Sequence, residues 1–222
     1  MTMQNHLTRV DDEWEAAAPN LFAASPEERR AAIALIRELA KGEPITSAQL
    51  AQALGSSTRD ADAFLNESCW APVVDTDPDG RIVGFWGLSA VPTPHRFAVG
   101  GRTLWTWCAY DTLFLPELIG ELAEIESRDP ETGEPVRLAV SPRGIEAVEP
   151  AGTVMSMVHL GSADLTSTSG LIETACCFIL FFASQASGER WTAAHPNTRL
   201  VSLDEAFAAA KRQNARQFVK PA

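Results

Sequence analysis

The fold prediction starts from residues 104–116, LWTWCAYDTLFLP. This stretch places a thiol, Cys108, and a carboxylate, Asp111, inside a run of large apolar side chains. A strand is predicted to end at Trp105, and a helix bent at its proline is predicted over residues 108–122. Side chains three residues apart share one face of a helix, so Cys108 and Asp111 should lie side by side.

A second stretch, residues 174–184, TACCFILFFAS, supplies two adjacent thiols in an equally apolar setting. It is predicted to form a strand over about residues 176–183. Neighbouring side chains on a strand point to opposite faces, so at most one of Cys176 and Cys177 faces a given site and the other should be buried in packing. We expect the fold to bring the two stretches together. A pair of inert core cysteines is the alternative interpretation of the local pattern.

Length and composition are those of an ordinary globular protein, with 222 residues, 45% hydrophobic and 21% charged. The 18 basic and 29 acidic residues give a net charge of -11, which repels phosphate backbones and anionic lipids. No nucleic-acid and no membrane partner is therefore expected, and no apolar run reaches the roughly 18 residues of a membrane span. The polar N-terminus lacks a signal-peptide core, which predicts a cytoplasmic protein. Its four cysteines should then be reduced, which favours metal-binding or catalytic roles over disulfides.

Three helices are predicted near the N-terminus, after a short helical piece around residues 14–18. Each begins at residues that cap helices well: Ser25 with Pro26, Thr46 or Ser47, and Ser57 or Thr58. A hairpin should follow, with strands at residues 73–74 and 81–88 around a turn at residues 77–80. Three helices and a hairpin resemble a winged helix. This N-terminal unit has too few basic residues for a DNA-binding domain, so a structural or lid module is expected.

The predicted fold class is α+β, with a domain boundary at the Pro-Thr-Pro of residues 92–94. Residues 1–91 should form an N-terminal helical, winged-helix-like domain, and residues 92–222 a C-terminal α+β catalytic domain of antiparallel strands and helices. In the second domain we expect strands at residues 96–99, 103–105, 123–127, 136–140, 145–149 and 153–160, a polar loop at 161–170 and a closing amphipathic helix at 204–218.

Cys108 and Asp111 are the first candidates for chemistry. A thiol near a helix N-terminus has a lowered pKa, and its thiolate is both a nucleophile and a ligand for soft metals. A carboxylate among apolar residues holds its proton longer than in water and can donate it. The alternative is that Cys108 is a packed small hydrophobe and Asp111 a residue favoured by the helix dipole. No other candidate catalytic or metal-binding residue lies near Cys69 in the sequence, so Cys69 is interpreted as structural.

A zinc site fits the chain poorly. Structural zinc takes four Cys and His ligands, usually with a CxxC or HxxxH element, and this chain has neither. A Cys-His catalytic pair also lacks a local signature. Two or three sulfurs and a carboxylate, with little imidazole, suit a soft, thiophilic metal better than a hard one.

The chain resembles the organomercurial lyase (alkylmercury lyase) family over about residues 25–207. The resemblance rests mainly on two cysteine motifs and the EPAG between them. In chain order its motifs are LAKG at 39–42, DGRIVG at 79–84, WCAYDTL at 107–113 with Pro116, VSP at 140–142, AVEPAG at 147–152, CC at 176–177 and FFAS at 181–184.

The resemblance implies cleavage of a carbon–mercury bond by protonolysis, which gives a hydrocarbon and Hg(II). It carries the catalytic and mercury-binding roles onto Cys108, Cys176 and Asp111. No organic cofactor is implied, mercury is substrate and product, and an external thiol should release the product. Whether Hg(II) then passes to a mercuric reductase or to small thiols stays open. Apolar walls for the organic group are expected from Trp107, Leu113, Phe114 and Phe181.

Two departures from the family pattern concern neighbouring positions. The family often has a structural cysteine just before the Thr132-Gly133 turn, where this chain has Asp129 or Pro130. Lost packing rather than lost chemistry is expected there. Phe178 and Leu180 stand where well-known members carry histidines, which makes the second stretch more apolar and should alter rates or substrate range.

Two other classes of function remain alternatives. A protein that sequesters Hg(II) or another soft metal would use Cys108 and Cys176 without turnover, but it would not need the proton donor Asp111. A metal-responsive regulator would use the N-terminal helices to bind DNA, which the net acidity opposes.

Overall fold

The computed structural model describes residues 9–19 and 23–218. His6 and the outermost ends of the two predicted domains lie outside the described residues. A short helix, α1 (Val10–Ala17), is followed by the three predicted helices: α2 (Pro26–Leu39), α3 (Ser47–Leu54) and α4 (Thr58–Glu67). A short 3-10 turn at Ala71–Val73 leads into the first strand.

The starts of these three helices follow from their capping residues, as predicted. The Ser25 hydroxyl accepts the Glu28 N–H, and the Glu28 carboxylate accepts the Ser25 N–H at 2.7 Å. The same reciprocal capping opens α3 and α4. Helix α3 stops at Gly55, whose φ of 64° suits glycine. The apolar faces of α2, α3 and α4 are buried in the common core.

An eight-stranded antiparallel sheet forms the centre of the molecule, in the order β1-β2-β3-β5-β4-β6-β7-β8. Its strands are β1 (Val74–Thr76), β2 (Ile82–Phe85), β3 (Leu88–Ser89), β4 (His95–Val99), β5 (Arg102–Thr106), β6 (Ala123–Arg128), β7 (Pro135–Val140) and β8 (Ile145–Glu149). The strands predicted for this part of the chain are confirmed. The predicted second strand of the first hairpin is wrong in one respect, because a turn at Trp86-Gly87 divides it into β2 and β3.

The N-terminal hairpin belongs to the same sheet as the strands that follow it. Leu88 of β3 pairs with Thr106 of β5, so hydrogen bonding continues across residues 92–94. The structure is therefore α+β, with N-terminal helices followed by antiparallel sheets and further helices. The division into domains of residues 1–91 and 92–222 stays a prediction.

The C-terminal part adds a small sheet and four helices. Strand β9 (Val154–Val158) lies between β10 (Phe181–Phe182) and β11 (Thr198–Ser202), and both pairings are antiparallel. The helices are α5 (Asp111–Ile119), α6 (Thr168–Thr174), α7 (Gln185–Ala193) and α8 (Leu203–Gln217), with a 3-10 turn at Leu160–Ser162. The closing helix is confirmed. Helix α7 and strand β11 had no predicted counterpart, and α6 begins inside the predicted loop.

The predicted strand over residues 176–183 is wrong for most of its length. Cys176–Phe178 forms a 3-10 turn, and only Phe181–Phe182 is a strand. The Ser156 hydroxyl donates to the Phe178 carbonyl at 2.7 Å and accepts the Leu180 N–H at 3.0 Å. The Ser156 hydroxyl thus binds two backbone groups that would otherwise pair with a neighbouring strand. Residues 176–180 therefore form a turn and not an extended strand.

Among the helices of the described residues, none is long and apolar enough to cross a membrane.

Candidate active site

Cys108 lies in the connection between β5 and α5, three residues before the helix begins at Asp111. Neighbouring elements hold this connection at several points. The Thr106 hydroxyl donates to the Cys108 carbonyl at 2.8 Å. The Trp107 N–H donates to the Gly87 carbonyl at 2.9 Å, and the Ala109 N–H donates to the Ile179 carbonyl at 3.0 Å. The last bond ties the first cysteine stretch directly to the second, so the expectation that the fold joins them is confirmed.

Cys176 and Cys177 have different environments. Cys176 starts the 3-10 turn after α6 and is buried, with 3% of its surface exposed. Cys177 is exposed, and its thiol donates to the Glu173 carbonyl at 3.1 Å. The prediction that only one thiol of the pair faces the interior site is confirmed, but the expected burial of the other is wrong, because the backbone turns here instead of forming a strand.

The three predicted site residues come together. One sulfur each from Cys108 and Cys176 and one carboxylate oxygen of Asp111 all lie within 4.8 Å of one another. All three side chains are buried. Two sulfurs and one oxygen in an apolar setting form a donor set for a soft cation.

Burial raises the pKa of Asp111 from 3.8 to about 7. The Cys108 N–H donates to Oδ2 of Asp111 at 2.8 Å and acts in the opposite direction, but it does not outweigh the loss of water around the carboxyl group. Asp111 can therefore hold or release a proton near neutral pH, as the sequence predicted.

The pKa of the Cys108 thiol is raised well above its ordinary value, mainly by burial and further by Cys176 and Asp111. The predicted lowering of this pKa is wrong, because Cys108 precedes the helix instead of occupying its first turn. The contact with the Cys108 thiol lowers the pKa of Cys176, but burial and the nearby Asp111 charge outweigh it, and this pKa is also raised. Both thiols are therefore protonated near neutral pH, and a soft cation bound to both sulfurs would displace the two protons.

Gly87 permits the close approach of the β2–β3 connection to Asp111. Its φ is 86°, and a Cβ at this position would overlap the Asp111 carboxyl group. Any other residue at this position would force the Asp111 carboxyl group or the β2–β3 connection to shift. This role of Gly87 was not predicted, although a glycine inside a predicted strand is a signal for such a close backbone approach.

A cavity of only about 20 Å³ lies beside Asp111 and Cys176. The predicted walls Trp107 and Phe114 line it, whereas Leu113 and Phe181 do not. It also has walls from separate elements that were not predicted: Trp14, Trp86, Leu171 and Gln213. This volume holds about one water molecule, so a larger ligand could reach the three side chains only if wall residues moved.

Asp129, one of the two residues expected to stand in place of the family's extra cysteine, is buried and has several partners. Asp129 is fully buried and accepts the N–H groups of Glu131 at 2.8 Å and Ala183 at 2.9 Å. It therefore ties the β6–β7 turn to the end of β10. The expectation that packing is lost here relative to the family stays a prediction.

Comparison with known proteins agrees with the geometry. The family model "MerB: Alkylmercury lyase" matches residues 88–213. The chain is 39% identical to an alkylmercury lyase of Pseudomonas putida over 176 residues, 79% of this chain and 78% of that one. It is 40% identical to that of Bacillus cereus over 174 residues, 78% and 75% of the two chains. The structure described as the mercury-bound form of MerB2 superposes with a TM-score of 0.74 at 26% identity, covering 94% of this chain and 99% of that one. This chain belongs to the alkylmercury lyase family.

Proposed function

We propose that the chain cleaves the carbon–mercury bond of organomercurials by protonolysis, with Cys108 and Cys176 as mercury ligands and Asp111 as the proton donor. The observation that carries this proposal is the buried cluster of two sulfurs and one carboxylate within 4.8 Å. Family membership supports the reaction type, and the geometry supports the assignment of roles.

The first step is exchange of mercury ligands. A substrate R–Hg–X, where X is a thiolate, binds through mercury to the Cys108 sulfur, and the Cys108 proton leaves with X as HX. The Cys176 sulfur then bonds to mercury and passes its proton to the Asp111 carboxylate. A second sulfur raises the electron density on mercury and polarises the bond to carbon.

The second step is transfer of a proton to carbon. Asp111 donates its proton to the carbon attached to mercury, the carbon–mercury bond breaks, and the hydrocarbon RH leaves. Hg(II) remains on two thiolates, and Asp111 is again a carboxylate. A pKa of about 7 suits this role, because the group takes up and gives back a proton near neutral pH.

Product release needs a competing ligand. We infer that two external thiols remove Hg(II) and return one proton each to Cys108 and Cys176, with no organic cofactor taking part. A mercuric reductase or small cellular thiols would serve as the Hg(II) acceptor.

The test is multiple turnover with methylmercury or phenylmercury and excess thiol, measured as released methane or benzene. Cys108→Ser and Cys176→Ser should each nearly abolish turnover, because a hydroxyl binds mercury poorly. Cys177→Ser is the matched control and should retain most activity, since its thiol is exposed and bonded to Glu173. Turnover by the Cys176→Ser protein would disprove the role assignment. Stoichiometric mercury binding without hydrocarbon would instead favour sequestration.

We also propose that residues 1–91 and 92–222 form two domains and that the first of them resembles a winged helix. Helices α2–α4 followed by the β1–β2 hairpin have the required order, which supports the likeness. Limited proteolysis that cuts first near residues 92–94 would support the division, whereas protection of this segment would oppose it.

A further inference from the structure

A second cavity of about 160 Å³ lies behind the wall of the small cavity beside Asp111. It is mainly apolar and is enclosed by α1 and the residues that follow it, by the 3-10 turn before β1, and by the loop before α6. Its lining includes Ala17, Ala18, Cys69, Pro72, Val73 and Leu165. We call it the outer cavity.

The two cavities share three wall residues, Trp14, Trp86 and Leu171. The outer cavity and the cavity beside Asp111 and Cys176 therefore meet at these three residues. A movement of these side chains would join the two volumes into one space that ends at the mercury ligands.

The shared wall has few polar restraints. The ring centroids of Trp14 and Trp86 lie 6.4 Å apart in an edge-to-face arrangement. The buried indole N–H of each ring has no hydrogen-bond acceptor within residues 9–19 and 23–218. Rotation of either ring would therefore break no hydrogen bond of its indole group, and it would leave an aromatic surface against any ring placed between them.

The volumes of the two cavities suit organic groups of different sizes. The inner volume of about 20 Å³ matches a methyl group or one water molecule. A dry apolar cavity of about 150 Å³ is enough to hold a benzene ring, and the outer cavity is of this size. A methyl group on mercury would thus stay beside Asp111, whereas a phenyl group needs the outer cavity.

We propose that the outer cavity is the binding site for the organic group of arylmercury substrates, reached when Trp14, Trp86 and Leu171 move aside. This rests on the proposed function. Burial raises the pKa of Cys69 to about 11, with a further contribution from Glu28, so its thiol is protonated at neutral pH and serves as a largely apolar wall.

The first experiment fills the cavity and compares two substrates. Cys69→Phe should lower kcat/KM for phenylmercury at least tenfold more than for methylmercury, because only the phenyl group competes for the filled volume. Val91→Phe is the matched control, since Val91 is exposed and lines neither cavity. The control should leave the ratio of the two substrates unchanged. An equal loss for both substrates in Cys69→Phe, or no loss, overturns the proposal.

A second variant enlarges the outer cavity. Its expected effect is a gain in relative activity, which misfolding would not produce. Leu165→Ala should raise kcat/KM for naphthylmercury at least threefold relative to phenylmercury. An unchanged ratio overturns the outer cavity as the aryl site, while normal methane and benzene release by the unmodified protein keeps the proposed function. Release of neither hydrocarbon by the unmodified protein overturns both.

Discussion

Asp111 and Asp129 are both buried carboxylates, but their pKa values move in opposite directions. Burial raises the pKa of Asp111 to about 7. Burial acts in the same direction on Asp129, but the N–H groups of Ala183, Glu131 and Thr132 outweigh it, and the pKa of Asp129 is lowered. One carboxylate is thus suited to carry a proton, and the other to stay charged.

The difference shows that burial alone does not decide the charge of a carboxylate. Asp129 accepts N–H groups on both of its oxygens, and these donors replace the water that it lost. The donors to Asp111 come from its own turn, with the Cys108 N–H as the principal one, and its other neighbours are two sulfurs and aromatic rings. A site for proton transfer is therefore distinguished from a structural tie by its lack of compensating donors.

The largest expected effect is on turnover. Asp111→Ala should reduce turnover about 1000-fold, or roughly 4 kcal/mol in the barrier, because the proton donor is lost. Mercury binding should persist, since both sulfurs remain. Hydrocarbon release measures the first quantity, and the mercury retained after gel filtration measures the second. Full turnover in this variant would remove the role of Asp111.

The second effect is on stability at the other carboxylate. Asp129→Ala should lower the free energy of unfolding by about 3 kcal/mol at pH 7, because three N–H groups, of which that of Ala183 is buried, lose a charged acceptor. Urea unfolding measures this loss. Asp129→Asn is the control and should lose less, since its amide oxygen still accepts. If Asp129→Ala unfolds like the unmodified protein, Asp129 is not a structural tie.

Local sequence patterns predicted much of this molecule. Capping residues and turns with glycine located α2–α4 and the two hairpins, because these signals act within a few residues. The spacing of Cys108 and Asp111 predicted half of the site for the same reason, since Asp111 reaches back to the N–H of Cys108.

The remainder depends on contacts between distant parts of the chain. The conformation of Cys176 follows from bonds that Ser156 and Ala109 make with residues 178–180, and no local pattern reports them. Trp14 and Trp86 enter the site from separate elements for the same reason. The predicted low pKa of Cys108 failed because the helix begins three residues later than predicted, so burial dominates.

The smallest expected effect is on the pH dependence of the free energy of unfolding. It tests whether the pKa values of Asp111 and Asp129 are shifted in opposite directions. Between about pH 4 and 7, folded Asp111 keeps a proton that the unfolded chain releases, so the stability of the unmodified protein falls as pH rises, by up to about 1.4 kcal/mol per pH unit. Asn cannot ionise, and its amide oxygen still accepts the Cys108 N–H. Asp111→Asn should therefore gain about 2–3 kcal/mol relative to the unmodified protein between pH 5 and pH 8. Asp129→Asn should instead be the less stable protein at both values, and its deficit should shrink as the pH falls below about 4, where the unfolded chain takes up a proton that folded Asp129 still resists. Urea unfolding of all three proteins at about pH 3, 5 and 8 measures these differences. An Asp111→Asn difference that is equal at about pH 5 and 8 would mean that Asp111 is ionised at both, and the contrast with Asp129 would then disappear.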